Sequence, residues 1–86
     1  MKKSKVYLNI RKIRELKNLT REYVAEELNM SMSGYGKIER GEVDLTVSKL
    51  IEIAKVLDVS TEFIFKFDVS VFLVKLISQS LNRYLI

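Results

Sequence analysis

Residues 20–41 read TREYVAEELNMSMSGYGKIERG, and this stretch decides the fold. Thr20 is a favoured N-cap residue, and the apolar residues that follow recur at helical spacing up to Asn29, which tolerates the left-handed conformation at a helix end. The pattern then repeats, because Ser31 is placed to cap a second helix and Gly41 to end it. The sequence therefore predicts two short helices joined by a tight turn, the arrangement of a helix-turn-helix.

Four predicted helix starts share one design, in which a Ser or Thr cap lies between two apolar residues five positions apart. The pairs are Leu19 and Val24, Met30 and Tyr35, Leu45 and Leu50, and Val59 and Ile64. Each pair can pack as a hydrophobic staple that fixes the entry of the chain into the helix. Because the four starts agree, and because the chain has no proline and no favoured hairpin dipeptide, the sequence predicts an all-α fold.

The other helices are placed by the same signals. A first helix is predicted from Tyr7 or Leu8 to Lys17, after an arm at residues 1–6, and Asn18 is placed to end it. Two further helices are predicted after Thr46 and Ser60, which continue the series of caps.

The stretch LTREYVAEELNMSMSGYGKIERG resembles the repressor/Cro-type helix-turn-helix of the Xre family, whose usual form is LTQxxLAxxxGVSxxxISxIERG. The ending KIERG is the most distinctive part, and the similarity extends from about Ile10 to Phe65. The resemblance implies a five-helix, lambda repressor-like domain that binds double-stranded DNA, usually as a dimer on a two-fold-symmetric operator. We expect this domain at residues 1–67 and an additional C-terminal segment at residues 68–86.

Composition excludes several classes of function. The chain contains neither cysteine nor histidine, so disulfides, thiolate zinc ligands and the commonest catalytic base are absent. We therefore expect no enzyme, no cofactor and no metal site. The N-terminal residues lack the apolar core of a signal peptide, and no run approaches the ~20 apolar residues of a membrane span. Together with the resemblance, this predicts a cytoplasmic, nucleoid-associated protein of bacterial or phage origin.

Positive charge is concentrated near the N-terminus. Residues 1–21 hold eight basic residues and one acid, whereas residues 22–86 hold seven basic and ten acidic residues, for a net charge of +4. This excess suits a polyanionic partner, since neutralising phosphates releases counterions. A solvated N-terminus with an incidental excess of lysine is the alternative interpretation.

The resemblance also implies the roles of individual residues. It places Met32, Ser33, Gly36 and Lys37 at the edges of the bases in the major groove, and it makes Thr20, Arg21, Tyr23, Arg40 and Thr46 candidate phosphate contacts. For Thr20 and Thr46, helix capping alone is an equal alternative, and for Arg40 the alternative is a solvated cation at a helix C-terminus, which the helix dipole favours. Glu39 would form a structural ion pair with Arg14.

Two features depart from the family pattern. Gly34 and Gly36 lie inside the second helix of the motif, where each costs about 1 kcal/mol relative to alanine. They could permit close approach to DNA, or indicate that another role has replaced operator reading. Arg21 stands where the family usually has glutamine, which suits a phosphate at a helix N-terminus.

The C-terminal segment VSVFLVKLISQSLNRYLI, residues 69–86, is strongly apolar. If it is helical, one face carries Phe72, Leu73, Leu76, Ile77, Leu81 and Tyr84, which we expect to form the interface of a homodimer. A strand at residues 69–75 competes, because three of these residues are β-branched valines. Packing inside the same chain, and an interface on the fourth and fifth helices, are further alternatives.

Two functions remain in competition. The first is a dimeric transcription regulator, a repressor or a restriction–modification controller, that reads a palindromic operator. The second is an antitoxin or other interaction module, in which residues 69–86 bind a toxin-like protein partner. The sequence gives no membrane partner, because the C-terminal segment carries only two cations on its polar face.

Overall fold

A computed structural model describes residues 4–85, and within this range the side chains of Ser4, Lys5, Val69, Phe72 and residues 82–85 are not described. The described chain contains six α-helices and no strand, so the predicted all-α fold is confirmed. The helices are α1 (Ser4–Leu16), α2 (Arg21–Glu27), α3 (Met32–Glu39), α4 (Val47–Leu57), α5 (Thr61–Lys66) and α6 (Val69–Leu85).

Four helices begin at a hydroxyl cap, as predicted. The side chains of Thr20, Ser31, Thr46 and Ser60 each accept a hydrogen bond from the backbone N–H three residues later, at 2.9–3.1 Å. The apolar residue before each cap packs half-buried against the core, and the residue five positions later is buried. The predicted staple pairs are therefore in place at all four starts.

Four helices also end in one way. Asn18, Asn29, Gly41 and Asp58 have φ between 56° and 70°, the left-handed conformation. In each case the next residue donates its backbone N–H to the carbonyl five residues earlier, at 2.8–3.0 Å, which is the pattern of a Schellman motif. These ends make the connections short and fix the direction in which the next helix leaves.

The core is formed by helices α1–α5. Helix α5 packs against α1 and α4, and the helix-turn-helix contacts α1 through α3 and α4 through α2. Its fully buried side chains include Ile10 and Ile13 of α1, Tyr35 of α3 and Leu57 of α4. Asn9 is also buried, and its amide donates to the carbonyl of Ile64 at 2.7 Å, which joins α1 to α5.

The first helix is longer than predicted. It begins at Ser4 rather than at Tyr7 or Leu8, so the arm expected at residues 1–6 is wrong for residues 4–6, and residues 1–3 lie outside the described residues. The physical reason is tertiary, since Val6 packs against the core and the ring of Tyr7 lies beside Gly41. Neither contact can be recognised from the periodicity of the first residues.

The C-terminal segment is a helix and not a strand at residues 69–75. An extended residue, Phe67, separates α6 from α5, and the main helix–helix contacts of the domain all lie within α1–α5. Along α6, six apolar side chains are 44–60% exposed: Val71, Leu73, Val74, Leu76, Ile77 and Leu81. None of the helices in the described chain has both the length and the apolar character needed to span a membrane.

Candidate nucleic-acid interface

A buried polar network holds α3 against α1. Arg14 donates from Nε to Glu39 Oε2 at 2.7 Å and from Nη2 to Glu39 Oε1 at 3.1 Å, which makes the ion pair bidentate. Arg14 Nη1 also donates to the carbonyl of Leu19 at 2.8 Å, and the Tyr35 hydroxyl donates to Glu39 Oε2. Each of the three guanidinium nitrogens of Arg14 therefore donates to Leu19, just before α2, or to Glu39 at the end of α3, and the pair fixes the angle of the helix-turn-helix.

The network raises the pKa values of two of its members, Arg14 and Tyr35. The hydrogen bond from Arg14 to Glu39 raises the pKa of the guanidinium, which stays charged. Burial, followed by the hydrogen bond to Glu39, raises the pKa of the Tyr35 hydroxyl above its ordinary value. Tyr35 is thus a neutral donor, and the network carries one positive and one negative charge.

Gly41 ends α3 in a position that no other residue fits. Its φ is 70°, and a Cβ at this position would lie 2.2 Å from an atom of the Tyr7 ring. Tyr7 thus packs directly on the backbone at the end of α3. This is a second contact between α1 and this helix, in addition to the pair of Arg14 and Glu39.

Three of the four expected base readers lie on the outer face of α3. Met32, Ser33 and Lys37 are exposed, whereas the core side of the helix carries Tyr35 and Ile38. Gly36 differs from the expectation, because it is buried beneath the side chain of Arg40. The surface above position 36 therefore belongs to Arg40.

Arg40 is held in this place by an acid that the sequence analysis did not single out. Its Nε donates to Glu42 Oε2, and both side chains are about half exposed, at 51% and 50%. The guanidinium of Arg40, with a smaller contribution from Lys37, lowers the pKa of the Glu42 carboxyl. The hydrogen bond from Glu42 is also the main cause that raises the pKa of Arg40.

The two threonine candidates act as helix caps, and the hydroxyl of Thr46 also lies 3.4 Å from that of Ser48, where either oxygen can be the donor. Thr20 and Thr46 accept from Tyr23 and Lys49 at 3.0 and 3.1 Å. A hydroxyl that accepts from an N–H still has one donor, so capping and phosphate contact are compatible. Arg21 and Tyr23, the other candidates on α2, are exposed at the same end of that helix.

The charge count of residues 1–21 overstates the basic surface. Arg14 is buried in its ion pair, and Arg11 is paired with Glu15 at 3.4 Å on the same helix. Lys17 Nζ reaches the carbonyl of Asp58 at 3.5 Å. Sequence counting cannot separate these cations from free ones, because the partners are set by the helix faces and by the fold.

The expected dimer residues are described only in part. Leu73, Leu76, Ile77 and Leu81 are exposed on α6, while the side chains of Phe72 and Tyr84 lie outside the described residues. An open apolar cavity of about 470 Å³ lies elsewhere, between the start of α1, the α3–α4 loop and α4, with Val47 and Phe65 in its wall. Among the described residues, no group of three acidic side chains could hold a metal ion.

Comparison with known proteins identifies the fold. A family model for helix-turn-helix proteins, HTH_3, matches residues 10–64. The restriction-modification controller protein C.AhdI from Aeromonas hydrophila is similar over 70% of this chain and 91% of its own, at 25% identity and a TM-score of 0.65. The wild-type controller protein C.Esp1396I is 38% identical over 73% of this chain and 81% of its own, with a TM-score of 0.67.

A nucleoprotein complex of C.Esp1396I is similar as well, at 38% identity over 73% of this chain and 82% of that chain, with a TM-score of 0.66. A search of curated proteins finds no significant match. The family model spans well over half of the chain, and it covers the capped helices, the ion pair and the exposed face of α3. The chain therefore belongs to the helix-turn-helix family of DNA-binding transcription regulators, of the Xre type.

Proposed function

We propose that this protein is a transcription regulator of the controller type that binds a palindromic operator in double-stranded DNA as a homodimer. The observation that carries the proposal is the exposed outer face of α3, with Ser33 and Lys37 in successive turns. The bidentate pair of Arg14 and Glu39 holds this helix in a fixed orientation. A recognition helix needs such a fixed angle to reach base edges along the major groove.

The side chains on this face suit base recognition. Ser33 can donate to or accept from several bases, and the ammonium of Lys37 suits the acceptors of guanine. Met32, 49% exposed at the start of α3, suits contact with the methyl group of thymine.

Phosphate contacts would come from the starts of two helices. Thr20 and Arg21 lie at the start of α2, Tyr23 follows them, and Thr46 lies at the start of α4. These residues combine hydroxyl groups with a guanidinium at helix N-termini, where a phosphate oxygen is favoured. They would fix the register of α3 without reading sequence.

The homodimer would form through α6. This helix exposes apolar side chains over several turns and lies outside the packing of α1–α5, so a second copy could bury them. Two copies related by a two-fold axis would present two α3 helices to half-sites about 34 Å apart.

The proposal can be tested by selection from a pool of random duplexes at moderate salt. The wild-type protein should enrich a palindromic sequence, and the Ser33→Ala/Lys37→Ala variant should lose the enrichment. The control variant Lys55→Ala removes one positive charge near the C-terminal end of α4 and should retain the enrichment. Salt-sensitive binding by the wild type with no enriched sequence would rule out operator reading.

A second candidate rests on the same exposed helix. The apolar residues of α6 could bind a different protein, as in an antitoxin, with DNA binding in a secondary role. Sedimentation of the purified protein separates the two, because a homodimer should form from this chain alone. A monomer at tens of micromolar, with no self-association, would favour the partner protein.

A further inference from the structure

Arg40 fills the place on the outer face of α3 that a side chain at position 36 would take. A Cβ on Gly36 would lie 2.9 Å from Arg40 Nη1, 3.7 Å from Cζ and 3.8 Å from Nη2. Residues 36 and 40 are one turn apart, so their side chains share a strip of the helix surface. The guanidinium of Arg40 therefore lies in the space that a Cβ at position 36 would occupy.

The orientation of this guanidinium is set by Glu42. The carboxylate binds Nε, on the lateral edge of the guanidinium, and does not occupy the terminal edge that the outer N–H groups of Nη1 and Nη2 form. In the described part of the chain, Nη1 and Nη2 of Arg40 make no hydrogen bond. Two parallel N–H donors in one plane are therefore left free at the surface that also carries Ser33 and Lys37.

We propose that Arg40 reads a guanine in each half-site. The absence of a side chain at Gly36 makes room for its guanidinium, and Glu42 is its positioning residue. This inference rests on the proposed function and changes the phosphate role that the resemblance implies for Arg40. A planar guanidinium with two free donors matches the O6 and N7 acceptors of guanine in the major groove. The same fork also fits a phosphate, but the location of Arg40 on the surface that carries Ser33 and Lys37 favours a base edge.

Glu42 should act in two opposing ways. By holding Nε, it keeps the fork pointed in one direction, which favours discrimination between bases. By placing a negative charge beside Lys37 and Arg40, it weakens attraction to phosphates in any sequence. An acid at this position therefore exchanges general affinity for selectivity.

The test measures dissociation constants for the selected operator, for its single-base variants and for a non-specific duplex, at several salt concentrations. Arg40→Ala should abolish the preference at one base pair per half-site, by about 10- to 100-fold, and change the other positions little. Gly36→Ala should lose the same preference, because its Cβ displaces the guanidinium. Glu42→Gln should bind the non-specific duplex more tightly and discriminate less at that base pair.

Gly34→Ala is the matched control for Gly36→Ala. Its added Cβ would meet Ser31 and Met30 but not Arg40, and alanine favours the helix equally at both positions. This control should keep the full preference. Circular dichroism of each variant verifies that the overall helical content is retained.

The outcomes separate this inference from the proposed function. If the wild type enriches no sequence, the proposed function itself fails. If the wild type enriches an operator but Arg40→Ala weakens all sequences alike and lowers the salt slope by about one phosphate, Arg40 is a phosphate contact and the inference is overturned. If Glu42→Gln retains the full preference, its positioning role is overturned and that of Arg40 stands.

Discussion

Arg14 and Glu39 are joined by two hydrogen bonds, of 2.7 and 3.1 Å, although 25 residues separate them in the chain. Their side chains are only 8% and 4% exposed. The pair is the buried polar part of the contact between α1 and the end of α3. It fixes the orientation of α3, the helix that we assign to the major groove of DNA.

Glu39→Ala should lower the free energy of unfolding by about 3–5 kcal/mol, because it leaves a buried guanidinium without its counter-charge. Glu62→Ala, which removes a highly exposed acid paired with Lys66, should change it by less than about 1 kcal/mol. Urea denaturation measures both values. Equal effects of the two variants would show that the buried pair contributes no more than a surface pair.

Gly41→Ala should destabilise the protein by at least about 2 kcal/mol. Alanine is strained at the φ of 70°, and its Cβ would also overlap the ring of Tyr7. The double variant Gly41→Ala/Tyr7→Ala removes the overlap and keeps the backbone strain, so thermal denaturation of both variants separates the two causes. If the single variant is as stable as the wild type, the packing of Tyr7 on Gly41 is not tight in solution.

Tyr35 should make stability depend on pH in the alkaline range. Its folded pKa is raised above the unfolded value of about 10, so the neutral hydroxyl stabilises the fold below pH 10 and this contribution is lost as the pH rises further. Tyr35→Phe should lower the free energy of unfolding at pH 8 by about 1–3 kcal/mol and flatten its decline above pH 10.

The matched control is Tyr23→Phe, because Tyr23 is 45% exposed. The tyrosinate absorbance that Tyr35 contributes, measured as the difference between the wild type and Tyr35→Phe, should rise at a higher pH in the folded protein than in the unfolded chain. An unchanged alkaline slope in Tyr35→Phe would contradict the role of Tyr35 in this dependence.

Ile77→Lys should convert the dimer to a monomer and weaken operator binding by about 100-fold or more, because the two half-sites would then bind independently. Gln79→Lys adds the same charge to α6 at a polar residue and should leave the dimer intact. Ile51→Lys tests the alternative interface on α4, since Ile51 is 43% exposed there. Sedimentation equilibrium measures all three, and a monomeric Ile51→Lys with a dimeric Ile77→Lys would move the interface to α4.

The elements that the sequence predicts well are those whose signals lie within a few residues. Caps such as Thr20 and Ser31, and left-handed ends such as Asn18 and Asn29, are decided by the side chain that bonds the nearby backbone or tolerates a positive φ. The predicted start of α1 is too late, because contacts of Val6 and Tyr7 with residues distant in the chain stabilise its first turns.

The candidate site also contains residues whose position the sequence predicts and residues whose position depends on the fold. The exposure of Ser33 and Lys37 follows from helical periodicity, since Tyr35 and Ile38 occupy the core side. The burial of Gly36 does not, because it depends on the path of Arg40 over the helix and on Glu42 beyond its end. Side chains as long as arginine have many rotamers, and only neighbouring groups in space select one.

The sequence by itself determined the all-α class, the helix-turn-helix and four of the helix starts, because local backbone hydrogen bonds and apolar periodicity specify them. The tertiary structure decided that the guanidinium of Arg14 is buried against Glu39 and is not part of the basic surface. It also decided that the described apolar side chains of α6 remain exposed. Burial depends on residues far apart in the chain, and no local pattern contains that information.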